Sequence, residues 1–237
     1  AYLLETKDAV LMIDTGTGSS RNLPDTNVSV DQLDAIINTH RHPDHVSDLI
    51  PLVQDKIVRS GSQEEPDVEL YGPEGHRDYI DIRLREEVPI NLEHFEEEFG
   101  FELDISELED VSEVQGLGLE TIEADHGPDH FRCLSLRFSL GDREVVFTGD
   151  TDYHEGLVEF AKGADLLITD CSKPHELKSE GHMTGKESGE LAERSGVDTL
   201  LLSHLYPEAD QHGVRKEAEE EFSGEVLVAE DLMELIL

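Results

Sequence analysis

Cysteine is scarce in this 237-residue chain: Cys133 and Cys171 are all it has. That excludes a disulfide framework, and their spacing is not that of a metal-ligand pair. Two small buried side chains in a reducing cytoplasm are the expectation. Long apolar runs are missing too. No stretch of about 18 consecutive apolar residues occurs, so no membrane span is expected. The first residues, Ala1-Tyr2-Leu3-Leu4-Glu5-Thr6, have neither the basic start nor the long apolar core of a secretory leader. Basic residues are few: 18 Lys and Arg stand against 56 Asp and Glu, a formal net charge of -38. No Lys/Arg cluster relieves this surface, which would repel a long polyanion such as DNA or tRNA. It suits a high-salt cytoplasm, and stability is expected to rise as KCl screens the repulsion. Repeats and Pro/Gly/Ser-rich linkers are absent, so the chain reads as a single domain over residues 1–237.

What is present is a hydrophobic fraction of 37%, enough for a substantial core, arranged in alternating strand-like and helix-like segments that imply an α/β or α+β layered fold. Strands are expected at 9–13, 35–38 and 68–71. A helix is expected over 44–53, and another opening at Gly72-Pro73 with the proline in its first turn. Residues 86–115 form the most acidic stretch and read as a solvated face over Phe99, Phe101, Leu103, Ile105 and Leu108. Residues 134–140 and 144–148 read as a hairpin around Gly141-Asp142. Further strands are expected at 166–169 and 197–203. Between them, 184–195 reads as a helix with Thr184 and Glu187 as a capping box and Gly196 as its C-terminal cap.

The polar residues that matter lie just past the ends of apolar strands, where open α/β sheets place their sites. In Thr39-His40-Arg41-His42-Pro43-Asp44-His45, three imidazoles and a carboxylate fall within six residues. In extended chain His40 and His42 point the same way and can grip one ion, while Asp44 and His45 turn into a helix towards another. Nitrogen and carboxylate donors suit Zn²⁺, with Mn²⁺ and Fe²⁺ left open. His126, Asp150 and His204 follow three further apolar runs and complete the set that two metals need.

The segment Thr39 to His45 resembles the His-x-His-x-Asp-His signature of the metallo-β-lactamase superfamily. Asp14-Thr15-Gly16, Phe147 to Thr151 and Leu202-Ser203-His204 are similar to its other motifs, in order. The resemblance implies a four-layer αββα sandwich with the metals at one edge of its two sheets. It implies that His40, His42 and His126 hold one ion, that Asp44, His45 and His204 hold the other, and that Asp150 bridges them. Such ions, about 3.5–4 Å apart, share a hydroxide and stabilise charge on the attacked group, with Asp44 orienting that hydroxide or taking its proton. The first motif is shared by many activities and says little about substrate.

Gly181-His182-Met183-Thr184, ahead of a capped helix, resembles the ribonuclease Z-like branch of phosphodiesterases. There the matching histidine stabilises the transition state and protonates the leaving oxygen, which makes His182 the second catalytic candidate, with Asp170 or a nearby acid as the partner that orients its ring. The chain departs from ribonuclease Z itself: the third histidine and the bridging aspartate are only 24 positions apart, too close for the arm that grips tRNA. A small-molecule or short oligonucleotide phosphodiester is therefore the expected substrate. Hydrolysis of a thioester or lactone is the alternative chemistry, and a metal-stabilised binding module the non-enzymatic one. Homodimers are frequent among such proteins. Arg41, His130, Tyr153, His154, and the lysines Lys173, Lys178 and Lys186 are further residues considered near the site, the lysines as contacts for a phosphate.

Overall fold

The computed structural model describes residues 1–60, 68–88, 103–128, 131–209 and 211–237. Much of the acidic 86–115 stretch lies outside them; of its apolar residues within them, Leu103, Ile105 and Leu108 are buried. His130 also lies outside. The chain divides into two compact units, residues 1–116 and 117–237. Among the described residues no helix is long and apolar enough to cross a membrane.

In the first unit, strands β1 (Tyr2–Glu5), β2 (Val10–Ile13), β3 (Ala35–Ile37), β4 (Glu69–Gly72) and β5 (Asp104–Glu107) form a sheet in that order. β1 is antiparallel to β2 and the others run parallel. Short helices α1 (Ser19–Asn22) and α2 (Pro43–Val46) follow β2 and β3, and the longer α3 (Leu49–Ser60) and α4 (His76–Glu87) cover the sheet. Met12, Ile36, Leu70 and Ile105 are register partners across β2 to β5 and make one apolar row. That row packs with Leu49, Ile50, Leu52 and Val53 of α3 and Ile80 and Leu84 of α4. Their spacing at three and four residues lines one helix face.

The second unit contains strands β7 (Leu117–Glu123), β8 (Leu134–Leu140), β9 (Arg143–Phe147), β10 (Leu166–Asp170), β11 (Thr199–Ser203) and β12 (Glu225–Val228), with α5 (Glu155–Phe160), α6 (Gly185–Ser195) and α7 (Gln211–Glu221) between them. The sheet order is β12-β11-β10-β9-β8-β7, extended at its edge by the two-residue β6 (Glu113–Val114). β9 to β12 are parallel, so their C-terminal ends share one rim. Val146, Leu167, Leu200 and Val226 form its apolar row, packed with Leu157 of α5, Leu191 and Ala192 of α6, and Val214 and Ala218 of α7.

The mixed α/β class and its two sheets follow the expectation, as do the β8–β9 hairpin and the capping box and left-handed Gly196 cap of α6. Two expected helices begin differently. The one predicted over 44–53 is interrupted after Val46, because Asp48 leaves the helical ladder to serve the 14–20 loop. Its N–H donates to Thr15 O at 2.8 Å, and its Oδ2 accepts from Gly18 N, Ser20 N and Ser20 Oγ. Pro73 does not open α4. Gly75, at φ +79°, turns the chain first, and the Glu74 and Gly75 N–H groups donate to the carboxylates of Glu109 and Glu107.

Candidate metal centre

In the first unit the ligand residues follow β3. Asp14, at the end of β2, anchors them. Its Oδ1 accepts the Thr39 N–H at 2.8 Å and the Thr39 hydroxyl donates to the same carboxylate. His45 Nδ1 lies 2.7 Å from Asp14 Oδ2. Burial alone would raise the Asp14 carboxyl, but the hydrogen bond of His45, and the attraction of His45 and His40 whenever those rings are protonated, hold it below the usual carboxylate range. An ionised Asp14 only accepts, so His45 Nδ1 carries the hydrogen, and in the neutral ring Nε2 is the lone-pair nitrogen. The same logic fixes His40. The Thr39 hydroxyl spends its hydrogen on Asp14, so its oxygen accepts from His40 Nδ1 at 3.1 Å and His40 also presents Nε2. That atom meets His42 Nδ1 at 3.1 Å, and the His40 and His45 rings lie 4.0 Å apart. Asp44, with an exposed side chain, has Oδ2 3.6 Å from His45 Nε2.

The Asp14-Thr15-Gly16 segment braces this loop from below. Thr15 N donates to His45 O at 2.7 Å, and a Cβ on Gly16 would sit 1.9 Å from Asp44 O. Only glycine lets the two backbones approach this closely. Asp14 itself has φ +58° and His204 φ +55°, left-handed conformations that side chains rarely adopt and that gather at functional sites. Arg41 turns towards the α4 entry, where a Cβ on Gly75 would lie 2.8 Å from its guanidinium.

In the second unit His126, Asp150, Asp170, His182 and His204 come together. His126 Nε2 is 3.8 Å and His204 Nε2 3.2 Å from Asp150 Oδ2. His126 Nδ1 lies 2.8 Å from Gly181 O; a carbonyl can only accept, so this ring too presents Nε2. His182 is buried, 4.7 Å ring to ring from His126 and stacked at 5.4 Å on His204. Its Nδ1 lies 2.8 Å from Asp170 Oδ2, which also accepts the Thr151 N–H. Burial raises the Asp170 carboxyl well above its usual range against the pull of His182, and nearby Asp150 adds to the rise. Tyr206 stands beside both His182 and His204, and the Lys173 ammonium lies over its ring at 5.5 Å.

The donor chemistry fits divalent ions. Imidazole nitrogens and carboxylate oxygens converge in each unit, and the Nδ1 hydrogen bonds of His40, His45 and His126 turn an unprotonated Nε2 outward, the orientation that metal-binding histidines take.

A model of the metallo-beta-lactamase superfamily matches residues 1–204. The chain belongs to this superfamily. Among its relatives, a probable metallo-hydrolase, YhfI of Bacillus subtilis, is 29% identical over 241 residues, covering 96% of this chain and 88% of that protein. A ribonuclease Z of Brevibacillus brevis is 28% identical, covering 92% and 80% respectively. The crystal structure of YhfI superposes with a TM-score of 0.79 at 27% identity, over 97% of this chain and 87% of that one. A diphosphatase of the PhnP family, at 17% identity and TM-score 0.71 over 99% and 83% of the two chains, shares the fold. The expected hydrolase class stands with that membership.

Of the other residues considered, Lys178 and Lys186 are engaged with carboxylates, Lys186 with Glu221 at 3.9 Å. Tyr153 pairs with Arg194, and His154 sits at the N-cap position of α5 without a side-chain cap hydrogen bond. Asp14 and Thr39, as the groups that set the histidine tautomers, went unassigned in sequence. Asp14 ends an apolar strand as Asp150 and His204 do, and that position was the available signal.

Proposed function

We propose that this protein is a dinuclear metal-dependent phosphodiesterase acting on a small phosphodiester. His40, His42 and His126 would hold one ion; Asp44, His45 and His204 the other; and Asp150 would bridge them. Zn²⁺ is the ion this donor set suits best. Bound ions would supply charge stabilisation at phosphorus and an acidified water.

His182 carries the reading. Asp170 Oδ2 accepts the Thr151 N–H and lies 2.8 Å from His182 Nδ1, so this pair fixes the ring through Nδ1 and Nε2 is the nitrogen that would deliver a proton to a leaving oxygen. The carboxylate orients the ring and stabilises its protonated form. Asp44 would orient the water or receive its proton. Relatives named ribonuclease Z and diphosphatase support phosphorus as the reacting centre. The stretch between His126 and Asp150 holds β8, β9 and the tight turn at Gly141. With a net charge of -38, this favours cyclic nucleotides and short fragments over tRNA.

The test is turnover of 2′,3′- and 3′,5′-cyclic nucleotides and bis(p-nitrophenyl) phosphate after Zn²⁺ or Mn²⁺ loading. On the nucleotides, His182→Ala is expected to cut kcat by about 10²–10⁴-fold while bound metal stays constant. Activity on acyl thioesters with none on phosphodiesters would overturn the reading.

A further inference from the structure

The turn that carries His182 is tied down by one ammonium group. Lys178 Nζ lies 2.6 Å from Asp152 Oδ1 and 2.6 Å from both Oε1 and Oε2 of Glu187. Each carboxylate has a second task. Asp152 Oδ2 accepts the N–H of Gly181 at 3.2 Å, immediately before His182. Glu187 Oε2 accepts the Thr184 N–H at 3.0 Å and the Thr184 hydroxyl at 2.9 Å, closing the α6 cap two residues after it. The backbone on both sides of His182 therefore hangs on two acids, and Lys178 is what lets two acids stand together. The Gly181 carbonyl in turn receives His126 Nδ1, so the same clamp reaches the tautomer of a ligand histidine. Burial works to lower the Lys178 pKa, but the hydrogen bonds and charges of Asp152 and Glu187 raise it overall. The ammonium stays charged at any working pH.

We infer that Lys178 is a positioning residue for His182: it clamps the turn from Lys178 to Glu187 so that the imidazole is delivered to Asp170 and to the leaving group. This rests on the phosphodiesterase reading for its kinetic consequence, but not for its structural one. Removing the ammonium leaves Asp152 and Glu187 repelling each other, loosens Gly181 and Thr184, and lets the ring leave Asp170. The damage falls on substrates whose leaving oxygen must be protonated. A nucleoside alkoxide needs the proton; p-nitrophenolate leaves well without it.

The experiment compares the full chain, metal-loaded, with Lys178→Met and Lys178→Arg, each alone and combined with His182→Ala. Lys178→Met is expected to lower kcat on a cyclic nucleotide by about 10- to 100-fold, the usual size of an orienting partner's effect. KM and metal content should hold, and bis(p-nitrophenyl) phosphate should be nearly spared. Lys178→Arg is expected to restore most of the loss, and in the His182→Ala background the methionine should cost nothing further. A second readout is independent of activity: the downfield proton of His182 Nδ1 on Asp170, followed by NMR, should vanish in Lys178→Met. If that variant fails to fold, Asp152→Asn cuts the tether to Gly181 and is read by the same measurements. An equal loss with and without His182, or a retained Nδ1 signal in Lys178→Met, overturns the inference. If His182→Ala alone leaves turnover intact, the phosphodiesterase reading fails, and the NMR signal still decides whether Lys178 places the ring.

Discussion

His76 offers a quantitative check on the first unit. Its ring is fully buried at the start of α4, and neither nitrogen has a hydrogen-bond partner among the described residues. A Cβ on Gly72 would lie 2.3 Å from it, so the ring fills a slot that exists because residue 72 has no side chain. Burial, and then the charge of Arg41, lowers its pKa from 6.5 to about 4. The positive end of the α4 dipole acts in the same sense. The folded protein therefore keeps the ring neutral where the unfolded chain already binds a proton. This contribution is complete above pH 6.5 and is lost as the pH falls towards 4. With 1.36 kcal/mol per pKa unit, the limiting loss is about 3 kcal/mol and the loss at pH 5 about 2 kcal/mol. The measurement is urea unfolding of the metal-free protein at pH 8 and pH 5, for the parent and His76→Leu. Other titrating groups cancel in the difference. The variant should be close to the parent at pH 8, since an unbonded buried imidazole gains little from being polar, and more stable by about 2 kcal/mol at pH 5. Parallel pH dependences in the two proteins would refute the reasoning.

Other expectations follow from the same geometry. Asp14→Asn can no longer hold both Thr39 and His45 as an anion, and affinity for the ion bound by His45 should fall about 10- to 100-fold in chelator competition. Gly16→Ala puts a methyl into Asp44 O; it should cost about 1–3 kcal/mol in chemical denaturation and loosen the Asp44–His45 loop, seen as weaker retention of one ion. Raising KCl towards 1 M should raise the melting temperature as the repulsion of 56 acidic side chains is screened; an unchanged or lower melting temperature would show that the acidic surface carries no such penalty.

What sequence reasoning reached depended on the range of the interaction that fixes each residue. The strand-end residues were legible because an apolar run followed by His or Asp is a local pattern: β3 leads to His40, β9 to Asp150, β11 to His204. The α6 cap was legible for the same reason, since Thr184 and Glu187 are three residues apart. Asp170 was found as the His182 partner because both flank one loop. The interruption at Asp48 was not legible, since its partners, Gly18 and Ser20, are 30 and 28 residues away. The tie of Lys178 to Asp152 was not legible because Asp152 lies 26 residues upstream, and a sequence shows the charge of a lysine but not the acids that claim it. The role of Asp14 was hidden likewise, at 31 residues from His45.

Strands β9, β10 and β11 run parallel; β10 and β11 stop level at Asp170 and Ser203, and β9 stops at Phe147, opposite Ile168. Asp150, Asp170 and His204 are thus issued from a common brim. Segments that leave this brim can grow, shrink or be exchanged without disturbing a single ladder hydrogen bond. Substrate preference in such a molecule is free to drift, while the chemistry beneath it stays where the ladder puts it.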